Sequence, residues 1–113
     1  MVIDMRRRGE VFIVRPNGLL RLGQGVEEFR QAMEELIAGG SIQIVLTLSE
    51  VPGIDSSGIG ALVRCYATLR QRGGAIKLVN PHGFVALSLR TVGVYNLFDS
   101  YNDEETAIEA FAE

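Results

Sequence analysis

Residues 42–60 read Ile42-Gln43-Ile44-Val45-Leu46-Thr47-Leu48-Ser49-Glu50-Val51-Pro52-Gly53-Ile54-Asp55-Ser56-Ser57-Gly58-Ile59-Gly60. The run Ile42 to Leu48 is almost unbroken in apolar residues and short, which is the pattern of a strand buried on both faces. From Ile59 to Arg72 the apolar residues Ile59, Leu62, Val63, Tyr66 and Leu69 recur at helical spacing and mark the inner face of a helix. Between the two lies Ile54-Asp55-Ser56-Ser57-Gly58-Ile59-Gly60, small and polar, at a strand-to-helix corner. Backbone N–H groups point outward at such a corner, so a phosphate or a partner protein can be met there.

Reading outward, Gly73-Gly74 stops the helix and Ala75 to Val79 forms the next strand. Asn80-Pro81 predicts a helix start, an N-cap followed by proline at the first position, with the helix running to about Val92. Tyr95 to Tyr101 is expected to be extended, and Asp103 to cap a last helix with Ala107, Ile108 and Phe111 inward. Toward the N-terminus, Gly39-Gly40 closes an amphipathic helix over residues 25–38, whose face is Val26, Phe29, Met33, Leu36 and Ile37. Pro16-Asn17-Gly18 predicts a turn across which Leu19 to Leu22 pairs back on a strand from Glu10 to Arg15. Val2 to Met5 reads as a short edge strand. Strands joined through a helix are parallel with a right-handed crossover, whereas the N-terminal part reads as an antiparallel meander. The expected fold class is therefore α/β: one domain over 1–113, a mixed sheet of four to five strands with packed helices.

The chain has 113 residues, 47% hydrophobic and 22% charged, a globular mix. No apolar stretch is long enough to span a membrane, and Met1 to Arg8 lacks a signal-peptide core. One cysteine forms no internal disulfide, which fits a reducing, cytoplasmic setting. The net charge of −3 makes no electrostatic case for nucleic acid. Arg6-Arg7-Arg8, followed by Gly9, reads as a solvated hairpin turn.

Enzyme signatures fail on spacing. A nucleophile elbow needs Gly-x-Ser-x-Gly, and Ile54 stands at the first position around Ser56. A P-loop needs Lys-Ser/Thr where Ile59-Gly60 stand. Leu22-Gly23-Gln24-Gly25 is a lone Gly-x-Gly without its third glycine. His82 follows a proline at a helix start and reads as a surface or capping residue, and Cys65 as a small core residue. One histidine and one cysteine make a metal site unexpected, and no cofactor is implied. Gly58, Gly60 and Ala61 leave the first helical turn nearly bare, although glycine within a helix costs about 0.5–1 kcal/mol relative to alanine. That pattern suits close approach by something else.

The chain resembles the STAS domain family of bacterial anti-sigma factor antagonists. Three stretches carry the resemblance: Ile44 to Leu48 with Ile54-Asp55-Ser56-Ser57-Gly58-Ile59-Gly60; Gly73-Gly74 with Ile76 to Val79; and Val92-Gly93-Val94-Tyr95-Asn96-Leu97-Phe98 with Glu104-Glu105-Thr106-Ala107-Ile108. It implies a partner switch. The unphosphorylated antagonist binds an anti-sigma factor that is itself a serine kinase of the ATPase type. That kinase phosphorylates the serine after the motif aspartate, here Ser56 with Ser57 as fallback, and a PP2C-type phosphatase resets it. Asp55, Ser56, Ser57, Gly58 and Gly60 would then form the partner surface of a monomer or weak dimer that is not an enzyme. One departure stands out. Where many relatives carry Gly-Glu-Leu-Asp, this chain has Gly18-Leu19-Leu20-Arg21, which places a cation, Arg21, near the same surface. Two other readings stay open: a STAS subunit of a larger lipid-transport or stress-signalling assembly in which Ser56 only caps the helix, and a small hydrolase using Ser56.

Overall fold

A computed structural model describes residues 1–112. Its elements in chain order are β1 (Val2–Arg8), β2 (Val11–Asn17), α1 (Gln24–Ala38), β3 (Gln43–Thr47), α2 (Ser56–Gln71), β4 (Ala75–Val79), α3 (Gly83–Thr91), a 3₁₀ turn (Tyr95–Leu97), β5 (Asp99–Tyr101) and α4 (Glu104–Ala110). The sheet follows chain order, β1-β2-β3-β4-β5, with β1 antiparallel to β2 and every later pair parallel. Each step from β2 onward passes through a helix, and a constant crossover hand puts successive helices on one face. The packing agrees. Phe29, Met33, Leu62, Leu69, Val85 and Leu89 from α1, α2 and α3 share a core with Ile44, Leu46, Ile76 and Leu78. The other face holds a smaller core in which Ala107 of α4 meets Val11, Ile13, Val45 and Val79. Strand β3 feeds both cores on alternate residues, Ile44 and Leu46 one way and Val45 the other, which accounts for its unbroken apolar run.

Four expectations are corrected. Arg6, Arg7 and Arg8 are strand, not turn; the turn is Gly9-Glu10, with Gly9 at φ 60°. Each arginine is held on the sheet surface: Arg6 by Asp4, Arg7 over the Phe12 ring, Arg8 by Glu105. Cations on an edge strand also discourage another chain from pairing with it.

Pro16-Asn17-Gly18 does not fold Leu19–Leu22 back as an antiparallel strand. Strand β2 continues to Asn17, with Pro16 opposite Ile3 of β1; the β2–β3 ladder ends at Val14, so no N–H is required of Pro16 on the β3 side. Leu20 instead forms a single parallel bridge with Ile54, so the N-terminal part is a hairpin rather than a meander.

The helix expected from Asn80 starts at Gly83, with His82 at the N-cap position and making no side-chain cap bond. Asn80 is held back because its N–H donates to the Tyr101 carbonyl of β5 at 2.8 Å and its φ is 59°, a left-handed conformation that asparagine tolerates. Lastly, Tyr95 to Tyr101 is extended only from Asp99; Tyr95–Leu97 is a 3₁₀ turn.

Candidate functional site at the α2 corner

Two connections meet at the carboxyl ends of the parallel strands: residues 18–23 between β2 and α1, and residues 48–55 between β3 and α2. Backbone bonds tie them together. Gly18 N–H donates to Glu50 O at 3.1 Å, Leu20 N–H to Gly53 O at 3.0 Å, and Asp55 N–H to Leu20 O at 3.3 Å. Leu20 is fully buried beneath them and acts as the anchor.

Asp55 is the N-cap of α2. One carboxylate oxygen accepts from Gly58 N–H at 3.0 Å, an orphan donor of the first turn, and the other from Leu22 N–H at 2.9 Å. These bonds, Leu22 first and then Gly58, hold the carboxyl below its ordinary 3.8, with a smaller contribution from the nearby charge of Arg21. The motif aspartate therefore stays ionised and joins the two connections. It also follows that the cap is Asp55 and not Ser56, which corrects the reading in which Ser56 serves only to cap the helix.

Ser56 is the first residue of α2 and is exposed; Ser57 behind it is half-buried. No side chain among the described residues hydrogen-bonds either hydroxyl, so no base stands ready to activate Ser56 as a hydrolase would need. His82, at the start of α3, is exposed and has no bond to the corner.

Gly58 and Gly60 have different roles. A Cβ on Gly58 would run into the Leu20 carbonyl oxygen and lie 2.7 Å from Ile54 Cγ1, so glycine is what lets the β2–α1 connection press against the helix. A Cβ on Gly60 would meet nothing within 4 Å, so this part of the first turn is open from outside. Arg21 is exposed, and its guanidinium reaches over Gly53, with Nη2 3.9 Å from where a Cβ would stand there. The structure thus brings together Arg21, Asp55, Ser56, Ser57, Gly58 and Gly60.

It adds a feature that the residue pattern did not single out. Leu22 is 79% exposed and Leu19 42%, and both flank the motif. Phe84 and Leu87 on α3 are also exposed, and α3 begins at the same end of the sheet as α2. The only signal for Leu22 was an apolar residue belonging to no helical or alternating period. Cys65 is buried, and burial pushes its thiol up to about 11, so it is inert at neutral pH. Among the described residues no group of three or more His, Cys, Asp and Glu side chains could hold a metal ion, and no helix is long and apolar enough to cross a membrane.

Comparison with known proteins agrees with this architecture. The chain is 29% identical over 107 residues to an anti-sigma F factor antagonist of Paenibacillus polymyxa, covering 94% of this chain and 91% of that one. A solved Thermotoga maritima protein superposes with a TM-score of 0.91 at 25% identity, covering 98% of this chain and 95% of the other. The Bacillus cell fate determinant SpoIIAA, solved in its phosphorylated form, has the same fold, with a TM-score of 0.75 at 22% identity over 97% of this chain and 99% of its own. The STAS domain model matches residues 2–107. With its five-stranded sheet, its α2 corner and that match over almost its whole length, the chain belongs to the STAS domain family.

Proposed function

We propose that this protein is an anti-sigma factor antagonist, a binding protein rather than an enzyme, that is switched by phosphorylation of Ser56. Its partner is an anti-sigma factor that is also an ATPase-type serine kinase, and a PP2C-type phosphatase resets it. In this reading it works in the cytoplasm as a single-domain monomer or weak dimer and touches neither nucleic acid nor membrane directly. The observation that carries the proposal is the exposed, unbonded Ser56 hydroxyl at the first residue of α2, rimmed by the exposed Leu19 and Leu22. The naming of the Paenibacillus polymyxa relative supports the same reading.

The energetics favour a switch that breaks the complex and spares the fold. A phosphate adds about −1.5 to −2 charges beside Asp55. A helix start favours an anion by about 0.3–1 kcal/mol at an exposed position, so the domain tolerates it. Like charges forced together at an interface cost several kcal/mol, and each 1.4 kcal/mol is about tenfold in affinity. The test is incubation with the cognate kinase and ATP, followed by peptide mass spectrometry. Phosphate on Ser56 is expected; phosphate only on Ser57 or Thr47, or none, rejects the assignment.

A further inference from the structure

The arginines of this fold are almost all engaged. Arg6, Arg8, Arg15 and Arg30 pair with carboxylates, Arg7, Arg70 and Arg90 lie over aromatic rings, and Arg72 donates to the Ile37 carbonyl. Among the described residues this leaves Arg21 and Arg64. Arg64 is exposed on α2, eight residues beyond Ser56, where it lines a groove against α1 with Arg30 and Glu34. Arg21 does not stand apart in that way. Both of its chain neighbours are bonded to Asp55: Leu20 O accepts the Asp55 N–H, and Leu22 N–H donates to the Asp55 carboxylate. The backbone of Arg21 is therefore fixed beside Asp55, and Ser56 is one residue further along, about 3.8 Å between Cα atoms. Its exposed guanidinium lies against Gly53 of the β3–α2 connection, and its charge is near enough to Asp55 to help hold that carboxyl ionised. The other charged side chains on the two connections are Glu50 and Asp55, both anionic, and His82 begins the neighbouring helix.

We infer that Arg21 is an internal clamp for phosphoserine 56: it swings from its unpaired position onto the phosphate and is thereby withdrawn from the partner surface. This rests on the proposed phosphorylation of Ser56 and concerns how that site is read. A guanidinium offers paired donors that match phosphate oxygens, and the bond is stronger than one between neutral groups. The clamp offsets the repulsion between the phosphate and Asp55. It also makes phosphorylation act twice at the interface, by adding negative charge and by removing an exposed positive one. Before phosphorylation, the same free cation favours a partner surface that is locally acidic.

The test separates this inference from the reading beneath it. Phosphoserine is installed at position 56 during translation, so no kinase is needed, and ³¹P NMR follows the second ionisation of the phosphate, ordinarily near about 6. In the phosphorylated protein with Arg21, this midpoint is expected to lie roughly one pH unit below that of the phosphorylated Arg21→Gln variant. Arg21→Lys keeps the charge without the fork and is expected to fall between them. Arg21 is exposed, so all three should fold, and thermal melts verify it. Equal midpoints for the Arg21 and Arg21→Gln phosphoproteins overturn the clamp. Failure of any kinase to modify Ser56 in the unaltered protein would instead reject the partner switch and leave the measured clamp as it is.

Discussion

Gly58→Ala is the sharpest probe of the corner. The added methyl would be driven into the Leu20 carbonyl oxygen and lie 2.7 Å from Ile54 Cγ1 and 3.1 Å from Leu20 Cγ. Leu20 cannot easily retreat. Its side chain is fully buried, its N–H is bonded to Gly53 O and its carbonyl accepts the Asp55 N–H. Overpacking of this kind costs about 1–3 kcal/mol. Replacing a helical glycine by alanine returns about 0.5–1 kcal/mol. The central values leave about 1.25 kcal/mol of destabilisation, a fall in Tm of roughly 5 °C for a domain of this size. Gly60→Ala supplies the opposite sign from the same turn. Nothing lies within 4 Å of its Cβ position, so only the helical gain of about 0.5–1 kcal/mol remains and Tm rises by roughly 2–4 °C. That variant is also expected to weaken partner binding, because the methyl protrudes where a partner would approach. Calorimetric melts of the two single variants decide the matter. A Gly58→Ala protein melting at or above the parent would mean that the β2–α1 connection is not pressed against α2.

Ser56→Ala is expected to keep the fold and lose phosphorylation, while Ser56→Glu weakens binding to the cognate anti-sigma factor at least about tenfold, as 1.4 kcal/mol of repulsion implies; unchanged affinity in calorimetric titration together with a large drop in Tm would make Ser56 structural. Arg21→Glu should slow association with the partner at low salt, with the defect shrinking as screening shortens to about 10 Å at 0.1 M and below; stopped-flow traces identical to the parent at every ionic strength would remove Arg21 from the interface. Asp55 has its carboxyl held below its ordinary 3.8. Its contribution to stability is therefore present above about pH 4 and lost as the pH falls through the depressed folded value. The gap in Tm between the parent and Asp55→Ala should then narrow from pH 7 to pH 3, and a gap independent of pH would contradict the bonds to Leu22 and Gly58.

How far the chain could be read by itself differs from element to element. Strand β3 and helices α1 and α2 were legible because burial imposes a period on the residues that carry it. Ile44, Val45 and Leu46 face two cores, and Val26, Phe29 and Met33 face one. The corner was legible because Asp55, Ser56 and Gly58 are residue types suited to a helix start. What could not be read were the contacts between segments distant in sequence. Leu20 bridges Ile54, the Tyr101 carbonyl claims the Asn80 N–H, and Glu105 holds Arg8. A turn signal such as Pro16-Asn17-Gly18 states where the backbone is able to bend, but the hydrogen-bond partners that decide whether it does lie more than thirty residues away, at Glu50 and Gly53. The sequence alone therefore determined the α/β order and the position of the α2 corner, through local periodicity and capping chemistry. Only the tertiary structure decided that the β2–α1 connection is laid against that corner. With it come the division of roles between Asp55 and Ser56 and the place of Arg21 beside them, because a buried Leu20 and its backbone bonds exist only once the two connections have met.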